Sequence, residues 1–444
     1  MKSVALHTLG CKVNYSESAT IGRQFIERGY RVVESDQPAD VYVLNTCSVT
    51  ERADKECRQV VRRMLRQSPH AFVVVIGCYA QLQPEEISSI EGVDLILGAN
   101  EKFNIFARAG DFIKRGHTQE YVSCIDEPIE YVPSSSGETD GRTRAYLKVQ
   151  DGCDYSCSFC TIPRARGKSR SPSIESILAQ ANHLASARYR EIVLTGVNVG
   201  DYGHRAGNSF IDLLHALENI PVDRIRISSI EPNLLTREIV EFILASDIFC
   251  NHFHIPMQSG SDAILRRMRR RYSTSDYANL THFIKDRDQD AAIGADVLVG
   301  FPGETEREFE ATYNFIELLP LSYLHVFTYS ERRDTPAAEY PGAVDMHVRS
   351  NRNEILRSLG KQKRAIFNAS FVGREVRVLV EQSAVPDMHT GLTTNYLRVE
   401  FESALPLRNE ILPVRVVSSD EDGCAGEIIE TSLLEPIHAE LIHN

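Results

Sequence analysis

The sequence predicts an α/β protein of three units: an N-terminal open parallel α/β domain, a central partial (β/α)6 barrel and a small C-terminal all-β barrel. Two sets of short apolar runs alternate with helical stretches, a segment rich in Pro, Ser, Gly and acids separates them, and beyond residue 370 the apolar period falls to two. Each pattern fixes one unit.

In residues 1–127 the runs SVALHTL, VYVLNT, FVVVIG and VDLILG read as buried strands, with helices from about Glu17 and through ERADKECRQVVRRMLR between them. Strands alternating with helices imply a parallel sheet. Residues 128–143 form the linker. In residues 144–368 six further runs, AYLKVQ, EIVLTG, RIRISSI, HFHIP, IGADVLVG and YLHVFTY, are each followed by a helical stretch. A barrel of such units keeps its active residues at the carboxyl ends of its strands. In residues 370–444 REVRVLVE, NYLRVEF and ILPVRVV alternate apolar with polar side chains, as expected of a small antiparallel barrel of the kind that binds single-stranded nucleic acid.

The 444 residues are enough for about three domains, and 42% apolar content can supply each with a core. Collagen-like and wholly disordered readings are excluded. The net charge of −12, from 61 acidic against 49 basic residues, leaves no bulk positive field, so an RNA partner would need local basic patches. MKSVALHTLGCKVN lacks the form of a signal peptide, and the longest apolar run, FVVVIGCYA, is too short to span a bilayer. A cytoplasmic protein without a membrane partner is expected.

Ten cysteines stand out on that background, because clustered thiols in a reducing compartment more often bind metal than form disulfides. Cys153, Cys157 and Cys160 follow the first barrel strand in VQDGCDYSCSFC, and no fourth cysteine or histidine lies nearby. Structural zinc normally takes four protein ligands, whereas three thiolates suit a four-iron cluster with one open iron. Cys11, Cys47 and Cys78 are distant in sequence, yet each follows a predicted parallel strand. Parallel strands share one carboxyl edge, so these three can meet. Cys57, Cys124, Cys250 and Cys424 match no such pattern and read as packing residues.

The C-x3-C-x2-C string, with Phe159 before its last cysteine, resembles the signature of the radical S-adenosylmethionine (SAM) superfamily, in which the open iron chelates SAM. Thr195, Gly196 and Asn198, Ser229 and Glu231, and Gln258 lie at later strand ends, where SAM's ribose, adenine and carboxylate need polar partners. LGCKVNYSES, NTCSVT, GCYAQ, LTGVNV, HIPMQSGS, GFPGETEREF and HVFTYS extend the likeness: the chain is similar nearly throughout to the methylthiotransferases. LGCKVN with NTCSVT is similar to the branch that methylthiolates threonylcarbamoyladenosine beside the tRNA anticodon. The resemblance implies two 4Fe-4S clusters, an auxiliary one on Cys11, Cys47 and Cys78 and a SAM-binding one on Cys153, Cys157 and Cys160, together with a C-terminal TRAM domain and an electron donor. Two departures concern loops: Arg333-Asp334 replaces the usual Pro-Gly after HVFTYS, and Arg164 stands where a bulky aromatic is common.

Arg164, Arg166, Lys168 and Arg170 follow the cluster cysteines directly, where an anionic substrate's phosphates would lie. Arg266 to Arg271 and Arg58 to Arg66 hold two further basic runs. Arg164, Arg332 and Arg333 are the expected partners of the carboxylate on the modified base. Tyr396 and Arg398 are expected on one face of a C-terminal strand, able to stack on bases, with Phe401 in the core. Three other readings share parts of this pattern: methylthiolation of isopentenyladenosine, methylthiolation of a ribosomal protein, and a non-catalytic metal-stabilised RNA-binding protein. The ribosomal-protein branch usually has proline where this chain has Lys12.

Overall fold

A computed structural model describes residues 1–47, 51–125, 131–136, 143–205, 207–381, 383 and 385–429, with backbone alone for 51–55. Much of the expected linker, and the end of the chain beyond 429, lies outside the described residues.

The N-terminal unit is a six-stranded parallel sheet of β1 (Ser3–Thr8), β2 (Arg31–Val33), β3 (Val41–Thr46), β4 (Phe72–Gly77), β5 (Leu95–Leu97) and β6 (Gln119–Tyr121), in the order β2-β1-β3-β4-β5-β6. Two apolar clusters, one around Tyr42, Val73 and Met64 and one around Phe25, Val74 and Ile105, cover its two faces. That explains the near-continuous apolar runs of β3 and β4, which are buried along their whole length.

The central unit holds β7 (Arg144–Lys148), β8 (Glu191–Thr195), β9 (Arg224–Ile227), β10 (His252–His254), β11 (Ala292–Val299) and β12 (Tyr323–Thr328), all parallel. They form two three-stranded sheets joined by an Ile225–Phe249 bridge, an arc and not a closed ring. Capping boxes at Ser209–Asp212, Ser273–Asp276 and Thr305–Glu308 start three of its outer helices. Helix Lys12–Glu27 of the first unit packs along β7, the open edge of the arc.

The C-terminal strands β13 (Glu375–Val380), β14 (Met388–Leu392), β15 (Arg398–Glu402), β16 (Ile411–Ser419) and β17 (Cys424–Ile428) close a barrel around Val378, Val399, Phe401 and Val414. Phe401 is a core residue, as expected. This barrel docks on the amino ends of the central strands. The Arg224 guanidinium donates to the carbonyls of Leu392 and Arg377, and Arg226 to those of Thr393 and Thr394, at 2.8–2.9 Å. No helix among the described residues is long and apolar enough to cross a membrane.

Candidate active site

The three N-terminal cysteines follow β1, β3 and β4 at one edge of the sheet, and glycine lets their turns close. Gly10 has φ +103°, and a Cβ there would lie 2.6 Å from the Cβ of Cys47 and 3.0 Å from its Sγ. Gly77, with φ +101°, would meet the Thr46 carbonyl at 2.5 Å. Burial pushes the Cys78 thiol up, and the Cys11 thiol adds to that shift while Arg166 opposes it. Cys11 is exposed, Cys47 half-buried and Cys78 buried, so the set opens outward from the sheet edge.

Cys153, Cys157 and Cys160 lie in the loop between β7 and the short helix Ile162–Arg166. Cys153 N–H donates to the Gly167 carbonyl at 3.0 Å, and Cys160 N–H to that of Cys157 at 3.1 Å. Burial pushes the Cys153 and Cys160 thiols up to about 12, with the neighbouring thiols adding to the effect. Such sulfurs hold charge only when a metal compensates it. Arg270 Nη1 donates to Cys157 Sγ at 3.3 Å, and its other terminal nitrogen pairs with Glu231.

Elements that neighbour the two cysteine sets meet. Helix Cys78–Leu82 packs on helix Ile162–Arg166, and a buried ion network fastens the two domains behind them. Arg166 donates to Glu17 at 3.0 and 3.2 Å, to Asp151 at 2.9 Å and to Asn14 at 2.5 Å. Lys102 reaches Glu17 at 2.7 Å, and Lys148 lies 3.4 Å from Glu17 and 3.6 Å from Asp151. Arg166 is only 2% exposed, which corrects its expected phosphate role: its charge is spent on two buried carboxylates.

The expected SAM residues lie at or just past β8, β9 and β10 and in the cysteine loop. Asn198 is buried with both side-chain polar atoms lacking a hydrogen-bond partner, as are Asp201 Oδ2 and Ser228 Oγ. Asp201 and Glu231 both act electrostatically on Cys153. Buried polar atoms without partners fit a polar ligand seated beside the cysteine loop. Gly196 packs within 3.0 Å of the Gln150 carbonyl as seen from its would-be Cβ, and Gln150 Oε1 accepts from the N–H groups of Val197 and Asn198. Thr195 is buried in β8, Ser229 Oγ lies 2.7 Å from His254 Nδ1, and Gln258 has φ +64°. Phe159 packs edge-on against Phe301.

Inside the barrel, His254 Nε2 and His325 Nδ1 lie 3.0 and 3.3 Å from the same oxygen of Asp296. The charges around Lys12 are Arg144, Arg226, Asp296 and Glu191, and burial beside the two arginines brings its ammonium down to about 8. Sequence reasoning missed Asp201, Ser228, Asp296 and Arg270. Asp296 and Arg270 were hidden inside a strand pattern and a basic run.

The remaining expected RNA residues divide. Arg164 and Lys168 are exposed, and Arg164 pairs with Asp334 at 2.9 Å. Asp334 has φ +61°, so the two loop departures contact each other. Arg170 is turned toward Asp151 at 2.7 Å. Arg333 is exposed and reaches Glu86 of the first domain at 3.2 Å, while Arg332 is buried. Arg398 is exposed beside Glu400. Tyr396 is corrected: it precedes β15 in a left-handed turn, so strand alternation does not apply, and its ring stacks on His252 at 4.5 Å. Cys57, Cys250 and Cys424 are packing residues, but Cys124, just past edge strand β6, is exposed.

Two family models match the chain, "Uncharacterized protein family UPF0004" over residues 3–98 and "Radical SAM superfamily" over residues 147–316. The chain is 39% identical to the threonylcarbamoyladenosine tRNA methylthiotransferase MtaB of Bacillus subtilis, covering 98% of this chain and 99% of that one. It is 32% identical to the tRNA-2-methylthio-N(6)-dimethylallyladenosine synthase of Symbiobacterium thermophilum, over 96% and 94%. A radical SAM methyltransferase from Kitasatospora setae, TsrM, shares the fold with a TM-score of 0.54 at 14% identity, over 76% of this chain and 77% of that one. With end-to-end relatives of this kind, the chain belongs to the radical SAM methylthiotransferases, which work with SAM and 4Fe-4S clusters.

Proposed function

We propose that the protein inserts a methylthio group at carbon 2 of N6-threonylcarbamoyladenosine beside the anticodon of tRNA, in the cytoplasm, with electrons from a protein or small-molecule donor. The observation that supports this reading is the packing of helix Cys78–Leu82, which begins with a cysteine of the first set, on helix Ile162–Arg166, which follows the second set. Cys153, Cys157 and Cys160 would hold the SAM cluster and Cys11, Cys47 and Cys78 the auxiliary one. Residues 1–127, 128–143, 144–368 and 370–444 are assigned as the auxiliary-cluster domain, linker, radical SAM barrel and TRAM domain. Carbon 2 of adenine carries a hydrogen that is neither acidic nor displaceable, so a bound cluster with SAM supplies the radical that removes it.

The chain's own residues orient and shield that chemistry. Asn198, Asp201, Ser228, Ser229, Glu231 and Gln258 offer polar groups to SAM, and Phe159 backs the cysteine loop. Arg164, Lys168 and Arg333 are exposed cations available to RNA phosphates. A charged lumen supports threonylcarbamoyl over an apolar isopentenyl group, which would bring no anion to Lys12. The test is anaerobic purification and assay with SAM, reductant and tRNA of each type. About eight irons with matching sulfide, and methylthio product on the threonylcarbamoylated tRNA, are expected. Zinc in place of iron, or no product with either tRNA, would overturn the proposal.

A further inference from the structure

The inner face of the central barrel is graded from floor to mouth. On β11 the side chains of Ile293, Ala295, Val297 and Val299 are buried in the core against the outer helices, so alternation turns Gly294, Asp296 and Leu298 inward. Register places Tyr323, His325 and Phe327 of β12 beside them in that order. The floor is filled: a Cβ on Gly294 would lie 2.1 Å from the Tyr323 ring, and His252 hydrogen-bonds to Tyr323 at 2.7 Å beneath the stacked Tyr396.

The layer above is open. The His325 side chain is 47% exposed and that of Asp296 20%, and Phe327, one step nearer the mouth, is 47% exposed. Asp296 is held by His254 and His325, which keeps its carboxyl well below the usual range once burial is overcome. Between the floor and this layer, the first residue of helix Lys12–Glu27 brings an ammonium among Arg144, Arg226, Asp296 and Glu191. The charges near it are already committed, Arg226 to Glu191 at 2.7 Å, Arg144 to Glu381 at 2.9 Å and Asp296 to two histidines. Lys12 has no hydrogen bond or ion pair among the described residues. A half-buried cation beside two arginines, with both nearby carboxylates engaged by other groups, can take a further anion.

The geometry points to Lys12 as the residue that reads the carboxylate of the N6-threonylcarbamoyl group, with Asp296 accepting from that group's hydroxyl or ureido N–H. This rests on the proposed substrate. The two charges come from different domains, one from the first domain's helix and one from β11, within electrostatic reach of each other, so a substituent carrying both an acid and a donor can bridge them. Phe327 gives the adenine a ring face on the mouth side. An isopentenyl group offers neither charge a partner, and a polar site deprived of its partner discriminates far more strongly than an apolar one.

The test compares wild type, Lys12→Met, Lys12→Arg and Asp296→Asn on anticodon stem-loops bearing threonylcarbamoyladenosine or its methyl ester. Wild type is expected to bind the acid tighter than the ester. Lys12→Met should raise KM for the acid about 10- to 100-fold, the scale of one lost charge-assisted hydrogen bond, and erase the acid–ester difference. Lys12→Arg should restore much of that preference. Iron content and uncoupled cleavage of SAM should match wild type, which separates recognition from damage at Cys11. Asp296→Asn, remote in sequence from any cysteine, should raise KM for acid and ester alike. Should Lys12→Met keep the wild-type preference for acid over ester, Lys12 is not the reader while the substrate stands. Should wild type turn over only isopentenylated RNA, both the substrate and this role fall.

Discussion

Replacing Glu17 by Gln should destabilise the protein more than replacing Arg166 by Met, although Arg166 makes more hydrogen bonds. The buried junction holds Lys102, Lys148, Arg166 and Arg170 around Glu17 and Asp151. Removing Arg166 leaves three cations for two carboxylates, and both keep partners: Glu17 has Lys102 at 2.7 Å, Asp151 has Arg170 at 2.7 Å. Removing the Glu17 charge leaves four cations about Asp151 alone, with Lys102 deprived of its carboxylate. An uncompensated buried charge costs about 3–5 kcal/mol, so Glu17→Gln should lose that much. Arg166→Met should lose about 1–3 kcal/mol, a few charged hydrogen bonds partly replaced.

Urea unfolding of anaerobic protein, followed by circular dichroism and iron absorbance, would order the two variants. If Arg166→Met unfolds as early as Glu17→Gln, charge balance is not what holds the junction. The pH dependence has a definite sign. Burial raises the Glu17 carboxyl, Arg166, Lys102 and Lys148 overcome this, and it ends near 2 against an ordinary 4.5. A depressed carboxyl stabilises fully above 4.5 and loses that contribution as pH falls from 4.5 toward 2. Glu17→Gln should lose less stability over that interval than wild type, though still some, because Asp151 contributes its own loss there.

Replacing Cys153, Cys157 and Cys160 by Ala should abolish SAM cleavage to 5′-deoxyadenosine, while the same change at Cys11, Cys47 and Cys78 should spare cleavage and stop sulfur insertion; normal product from the second variant would remove the sulfur site from the first domain. Binding of tRNA should weaken with salt, and Arg164→Gln with Lys168→Gln should flatten that dependence, whereas an unchanged slope would place the phosphates elsewhere. Tyr396→Ala should loosen the docked C-terminal barrel, and Tyr396→Gly should be about 1 kcal/mol less harmful because the native turn has φ +66°. Equal midpoints for the two in thermal unfolding would mean the turn is not retained.

The fold was legible where burial writes a period into the chain. β1, β3, β4, β5, β8, β9, β10 and β12 lie within the apolar runs that predict them and β7 and β11 begin one residue before theirs, because strands covered on both sides need apolar residues at consecutive positions. β2 and β6, three residues each at the sheet's edges, were not. An edge strand gains its place from a neighbour's free hydrogen bonds more than from its own side chains, so RVV and QEY carry little pattern. β14 escaped for a related reason: in MHTGL only Gly391 and Leu392 are buried, and Gly391 is there because a Cβ would strike the Leu379 carbonyl at 2.2 Å.

The site was legible as far as chemistry depends on residue type, and illegible where it depends on direction. Six cysteines at strand ends announced themselves because thiols there have few other uses in a reducing setting. Arginines do not, since the same RARGKSR letters hold Arg164 outward beside Asp334 and Arg166 inward on Glu17, two positions apart. What decides between them is the short helix Ile162–Arg166, which turns Arg166 toward the first domain's helix. Only the contact between domains supplies the buried carboxylates that make an inward arginine stable. A basic run next to an active site is therefore two populations, and the sequence cannot separate them until the partner surface is known. Lys12 follows the same rule in the opposite direction. Its position next to Cys11 reads as part of a cysteine motif, and its charge acquires the proposed role only when the first domain closes the open edge of the barrel and sets the ammonium among the lumen charges, without a hydrogen bond or ion pair among the described residues.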